Sequence, residues 1–485
     1  MATKVGLDPA LRRTAIAVVV GALAVVFDTT IVSIALHTLA TDLRATVDTI
    51  QWVSTGYLLA LGVTIPVVGW AQSRLGGKRL WMLGLSIFVL ASILCSLAWS
   101  APSLIAFRVL QGIGGGIMLP LMSTLVVQAA RGKNLGRVIA TMSLPAVLGP
   151  ILGPVLGGLI LTFASWRWMF WVNVPFCVVG LVLAVRMLPA DRPDPHVRLD
   201  MVGLALLSPA VVGMLYGLSN VSRDGGFDRT DVFVPLVAGI ALLGGFIGWA
   251  AHRAGSALVD IRLLRFRPLA TSSALLFLSG FALYGAMLLL PLYWQEVRGT
   301  DALGAGLLLV PQGIGTFLSR SLAGRLTDRV GARWISITGF AIVTIATVPF
   351  ALATPTTNEV LLMAALLVRG FGLGAVTIPL MSVAFLGLER ADVPHASTIT
   401  RIATQVGGSF GVAVLAVILH AAMSGAQAPG DVAAAFDRSF WWAIAFAGVA
   451  VLLSFLLPGA AGTPDRRGEC QPRAMSARGS GANSG

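Results

Sequence analysis

Apolar and polar stretches alternate along this chain on the scale of a membrane crossing. Runs of apolar residues fall near 14–36, 50–72, 80–98, 104–127, 138–162, 168–187, 201–219, 232–250, 269–293, 303–323, 334–352, 360–386, 396–421 and 438–458. About twenty such residues carry a helix across ~30 Å of hydrocarbon. Short segments rich in Arg, Gly and Pro separate the runs. The pattern predicts an all-α polytopic membrane protein with 14 transmembrane helices. Composition agrees: 56% of the 485 residues are hydrophobic and only 11% are charged, whereas about a quarter is usual in a soluble domain.

The formal net charge of +13 is not gathered on one face. Alternate connections hold most of the cations, for example Arg74, Lys78 and Arg79, then Arg131, Lys133 and Arg137. The intervening ones hold only Arg44, Arg167, Arg223, Arg229, Arg298 and Arg438. Cytoplasmic loops are enriched in Lys and Arg, so both termini are expected in the cytoplasm and no nucleic-acid partner is expected. Lys4, Arg12 and Arg13 precede a run too long for a signal peptide and without a small-residue cleavage site. Cys95, Cys177 and Cys470 have neither metal-ligand spacing nor the makings of a disulfide framework. A multi-pass protein of the cell membrane, plasma or inner, is the expectation.

The chain repeats itself. "GWAQSRLGGKR" (69–79) returns as "GRLTDRVGAR" (324–333), and "PLMS" (120–123) returns at 379–382, each time behind an arginine and a Gly-rich stretch. Two matches at nearly one offset indicate duplication of a six-span unit. The expected plan is a cytoplasmic segment 1–13, a six-helix bundle 14–187, two inserted spans with their connections 188–268, a second bundle 269–458 and a disordered cytoplasmic tail 459–485. Parallel six-span repeats with a site between them at mid-membrane define rocking secondary transporters.

At these residues the sequence resembles the major facilitator superfamily, and within it the fourteen-span drug:proton antiporters (EmrB/QacA-like). The loop motif of that superfamily matches Gly324, Leu326, Asp328, Arg329, Gly331 and Arg333. Its first copy matches Gly69, Arg74, Gly76 and Lys78, with Ser73 in place of the acid. The fourth-span motif R-x-x-Q-G matches Arg108, Gln111 and Gly112. The fifth-span antiporter motif matches Gly149, Gly153, Pro154, Gly157 and Gly158. The first-span motif matches Asp28, Thr30, Ile31, Val32, Ala35 and Leu36, with Ser33 and His37 where Asn and Pro are usual. The resemblance implies a major facilitator fold, export coupled to proton entry, hydrophobic and often cationic substrates, and a proton-transfer role for the arginine.

The residues can be read physically beside that resemblance. A carboxylate in hydrocarbon is costly when charged and much less so when protonated, and intramembrane acids mark pathways and proton relays. Asp28 is therefore the proton-coupling candidate, and Arg108 its candidate partner; a static structural salt bridge is the bland alternative. Gln111 extends the same polar track or bonds between helices. Glycines 149, 153 and 157 lie on one helical face, where small residues let backbones approach, and Pro150 and Pro154 bend that helix. Asp328 is expected to latch one state of the inner loop. Tyr57, Tyr284, Tyr293, Gln295, Gln312 and Gln405 combine aromatic faces and amides, and with Gln111 they are the candidates for the substrate cavity. Glu296 and His37 are read as interface residues near the outer ends of their spans, and Trp166, Trp168 and Trp171 as an aromatic belt.

No G-x-x-x-x-G-K-[ST] phosphate loop is present to drive a primary pump, and five scattered histidines without HExxH give no enzyme centre. The expectation is a non-enzymatic, proton-driven exporter of amphipathic drugs or antibiotics, without a cofactor. A dedicated exporter of one endogenous metabolite and a proton-coupled importer remain the alternatives.

Overall fold

The computed structural model describes residues 9–32, 35–130, 153, 156–189, 193–194, 196–224, 229–253, 257–300, 302–354, 356–389, 391–423 and 429–458. Backbone polar groups in a bilayer must be satisfied within the segment, which leaves helices as the solution for these apolar runs. The first half holds α1 (Pro9–Ile31), α2 (Leu36–Asp42), α3 (Val47–Thr64), α4 (Val68–Leu75), α5 (Gly77–Ser96), α6 (Ala101–Ala130), α7 (Trp168–Trp171) and α8 (Asn173–Met187). Two further helices follow, α9 (Met201–Asp224) and α10 (Thr230–His252). The second half holds α11 (Arg267–Leu292), α12 (Ala302–Leu308), α13 (Val310–Val330), α14 (Ala332–Ala351), α15 (Glu359–Ala384), α16 (Val393–Met423) and α17 (Pro429–Ser454).

Among the described residues, twelve helical segments are long and apolar enough to cross a membrane, so the fourteen expected spans are not all reached. The run 138–162 lies largely outside the described residues, as do Gly149, Pro154 and the tail 459–485. The run 303–323 is split between α12 and α13, and α13 carries Arg320, Arg325, Asp328 and Arg329, which lower its hydropathy below that of a span. One belt residue is also misplaced by the sequence: Trp166 is buried under Arg167, while Trp168 and Trp171 are exposed.

The duplication is visible in the packing. A side chain at Gly112 of α6 would strike the Tyr57 carbonyl of α3, and one at Gly370 of α15 would strike the Gln312 carbonyl of α13. One turn on, Gly116 lies against Leu61 and Gly374 against Thr316; Gly114 meets the Gly84 carbonyl and Gly372 the Gly339 carbonyl. These contacts set the two halves in register and bring α6 and α15 close to their neighbours. The inner motif repeats as well. It is not a loop in the structure: α4 meets α5 at Gly76 (φ +82°), and α13 meets α14 at Gly331 (φ +96°), a backbone that favours glycine. Two residues later, Lys78 donates to the carbonyls of Val185 (2.7 Å) and Leu188 (3.0 Å) at the end of α8. Arg333 donates to the Leu457 carbonyl (2.6 Å) just past α17. Both are cations placed on helix C-termini, where they neutralise exposed carbonyls.

The halves meet through α16. Thr124 of α6 donates to Ser397 of α16 (3.0 Å), and Gly69 of α4 lies against Pro394. These contacts sit at the end of the bundles that carries Gly76 and Gly331. The inserted helix α9 braces the junction: Ser208 donates to the Val63 carbonyl of α3 (3.1 Å), and Leu218 and Val221 pack with Ala413 of α16. Asp200 ties the inserted pair down. Its buried carboxylate accepts from the amides of Gly203 (2.9 Å) and Leu258 (3.1 Å) and from the Trp249 indole (3.1 Å). Asp200→Ala leaves these donors unpaired and is expected to lower stability by about 1–3 kcal/mol, read as a fall in the melting temperature of the purified protein.

Candidate functional site

The site grows from one apolar helix with one acid. Asp28 lies three residues before the end of α1 and is 1% exposed. A carboxylate so placed needs donors, and two other helices supply three of them. Arg108 of α6 donates from Nη1 to Asp28 Oδ2 at 2.5 Å. Gln111, three residues on, donates to Oδ1 at 3.0 Å, and Asn173 at the start of α8 donates to the same oxygen at 2.9 Å.

Each donor is itself held. Arg108 gives Nε to the Val53 carbonyl of α3 (3.1 Å) and also bonds Gln111 Oε1 through Nη1 (2.6 Å). Its guanidinium lies 4.2 Å from the centre of the Tyr57 ring, a cation–π contact. Gln111 and Asn173 both donate to Ser92 Oγ of α5, at 2.7 and 3.4 Å, and Ser92 donates back to the Phe88 carbonyl. The Tyr57 hydroxyl and Asn173 Oδ1 are buried without a partner. The result is a closed, buried network with one acid–arginine pair, reaching five helices, in which the acid changes its counter-ion when the helices move.

The second half contains the same network rewritten. Gln111 bonds Ser92 in the first; Arg369 of α15, at the equivalent place, donates to Thr347 of α14 (3.2 Å). Where Gln111 donates to Asp28, Arg369 donates to the carbonyl of Ala282 in α11 (2.8 Å). Where Tyr57 faces the fourth-span arginine, Gln312 accepts from Arg369 (2.8 Å). Among the described residues no acid joins this second cluster, whose acceptors are a hydroxyl, an amide and a backbone carbonyl.

The structure thus brings together Asp28, Arg108, Gln111 and Tyr57 of the sequence candidates and joins Gln312 to the matching cluster. It places the others apart. Tyr293 is enclosed by Trp294, Phe350, Phe436 and Phe440. Tyr284 packs on Gly408 with 37% of its surface exposed, Gln295 and Glu296 are exposed in a π-helical turn, and Gln405 is half-buried on α16. Gly153 lies directly against Thr30, two residues from Asp28, so this glycine of the antiporter motif touches the first span beside the acid. Gly157 is buried, and space is open around Gly158. Gly69 and Gly324 are buried, Arg74 reaches the Val197 carbonyl (3.4 Å), and Arg329 is exposed. The side chains of Asp328 and His37 lie outside the described ones. Asn173, Ser92, Arg369 and Asp200 were not singled out from the sequence. Arg369 entered there only as the arginine that marks the repeat.

Two duplicated helical bundles, glycine-packed, with one buried acid–arginine pair in the first, define a membrane transporter of the major facilitator class. Comparison agrees. The chain matches the Major Facilitator Superfamily over residues 18–412 and again over 276–479, and it belongs to that family. It is 36% identical over 415 residues to a multidrug resistance protein B homolog of Mycobacterium tuberculosis (strain ATCC 25618 / H37Rv), covering 85% of this chain and 77% of that one. It is 28% identical over 415 residues to the lincomycin resistance protein LmrB of Bacillus subtilis (strain 168), covering 84% and 85%. Among solved structures it resembles the human organic anion transporter MFSD10 (TM-score 0.64, 18% identity, 93% of this chain and 100% of that one). It also resembles the proton:xylose symporter XylE (TM-score 0.62, 15% identity, 93% and 96%). At such identities the structures speak for the fold alone.

Proposed function

We propose that this chain exports amphipathic drugs or antibiotics across the cell membrane, driven by protons entering in exchange, with no cofactor. The relatives named for multidrug and lincomycin resistance support drug efflux. The observation that carries the proton coupling is the Asp28 site: a 1% exposed carboxylate whose one cation among the described residues, Arg108, stands on another helix. A helix movement that separates them strands the carboxylate, and protonation is the way to relieve it. Substrate loading and protonation then belong to opposite conformers, which is antiport.

The proposal also includes fourteen spans, with 138–162 and 303–323 completing the set, in the EmrB/QacA-like group and with both termini cytoplasmic. On that orientation the Thr124–Ser397 and Gly69–Pro394 contacts close the cytoplasmic side, and the structure is the outward-facing conformer. Cysteines in place of Thr124 and Ser397 are then expected to form a disulfide on mild oxidation, since the two oxygens already touch. Transport should stop and resume on reduction. The overall reading is tested by an efflux and resistance panel in a sensitive host, with and without a protonophore. Drug accumulation falls on expression and is restored when the gradient is collapsed; export that survives collapse refutes the coupling.

A further inference from the structure

The duplicated network has changed its charge between the halves. In the first, Asp28 balances Arg108. In the second, Arg369, 3% exposed, donates to Thr347, Gln312 and the Ala282 backbone carbonyl, with no acid among its partners in the described residues. A second cation lies on α16, the helix through which the bundles meet. Arg401 is half-buried, its Nε is buried without an acceptor, and it makes no ion pair among the described residues. Four residues before it Ser397 touches the opposite bundle, and four residues after it Gln405 is half-buried. Arg401 is also within electrostatic reach of Tyr57, whose ring covers Arg108.

A guanidinium whose Nε is buried without an acceptor is costly, and its planar group matches carboxylate, sulfonate or phosphate groups. A cationic compound meets the opposite situation: the one mid-membrane carboxylate of the first bundle is already neutralised, while Arg369 and Arg401 repel it.

We propose that Arg401 is the recognition cation of the transport path, and that the exported compounds present an acidic group to it. This inference rests on the export reading above and departs from the cationic substrates that the family resemblance implies. Charge alone would draw an anion and a proton in together; in antiport they are kept on opposite conformers, Arg401 loaded in one and Asp28 protonated in the other.

The test uses three xanthene dyes of similar shape: fluorescein as the anion, the free-acid rhodamine as the zwitterion and its methyl ester as the cation. Binding to the purified full chain is followed by fluorescence anisotropy, with no gradient. Fluorescein is expected to bind at least roughly tenfold tighter than the rhodamine ester, a difference typical of one well-placed charge. Arg401→Gln, shown to be folded by its melting temperature, loses that ratio, Arg401→Lys keeps part of it and Arg401→Glu inverts it. Equal affinities, tighter binding of the ester, no binding of fluorescein, or a ratio unchanged in Arg401→Gln overturns the inference. The same dyes in proteoliposomes test export separately. Fluorescein that binds through Arg401 yet never moves against its gradient upholds the recognition site and defeats the export reading.

Discussion

Asp28→Asn is expected to abolish uphill drug export while leaving a folded transporter in the membrane. The amide has nearly the shape of the carboxylate, but it neither carries the negative charge nor takes up a proton. It offers one oxygen where Asp28 accepts from Arg108, Gln111 and Asn173. One donor is left without its acceptor and Arg108 without its counter-ion, so stability should fall by about 3–5 kcal/mol. Downhill exchange of drug across proteoliposomes should survive, because it needs alternating access and no proton. The measurement is paired: accumulation against a gradient under an imposed pH difference, and equilibrium exchange without one. Loss of both would mean that Asp28 serves the fold and not the coupling.

Arg108→Ala is expected to be the more damaging change. It removes the paired cation from a carboxylate that is 1% exposed, and breaking a buried pair from one side typically costs about 3–5 kcal/mol. It also frees the Val53 carbonyl and uncovers the Tyr57 ring. Low yield and a strongly depressed melting temperature should follow. Combining Arg108→Gln with Asp28→Asn removes both charges together and should recover much of that stability without recovering transport. A double-mutant cycle on melting temperature separates the pair's mutual energy from each residue's own packing. Near-zero coupling would show that the contact at 2.5 Å contributes little to the fold.

How much of this was legible in the chain depends on the kind of residue. Asp28 and Arg108 announce themselves because a charge inside an apolar run has few uses. Their pairing was a fair inference, since both fall in one bundle. Asn173 and Ser92 carry as much of the network but look like ordinary polar residues in spans, where amides and hydroxyls commonly bond between helices. Arg369 was visible as a marker of the repeat, yet its role appears only once α13, α14 and α11 close around it. The same limit applies to Gln312, proposed for a cavity and found holding Arg369. Asp200 sits in a polar connection, where an acid draws no notice, and becomes a hub only through Trp249 and Leu258. The span count strained where charge entered the helix: Arg320 and its neighbours make α13 read as a marginal crossing. Lys78 and Arg333 were read as topology signals, and they also turned out to hold the ends of α8 and α17.

The protonation state of Asp28 in the two conformers can be read by infrared difference spectroscopy on protein with cysteines at Thr124 and Ser397, oxidised and reduced. The account predicts no protonated-carboxyl band assignable to Asp28 in the oxidised, outward-locked form, where the carboxyl is paired with Arg108. Opening of that lock should bring the band in, and Asp28→Asn should remove it. A band that is identical in both forms, or that persists in Asp28→Asn, would contradict a proton carried by this acid.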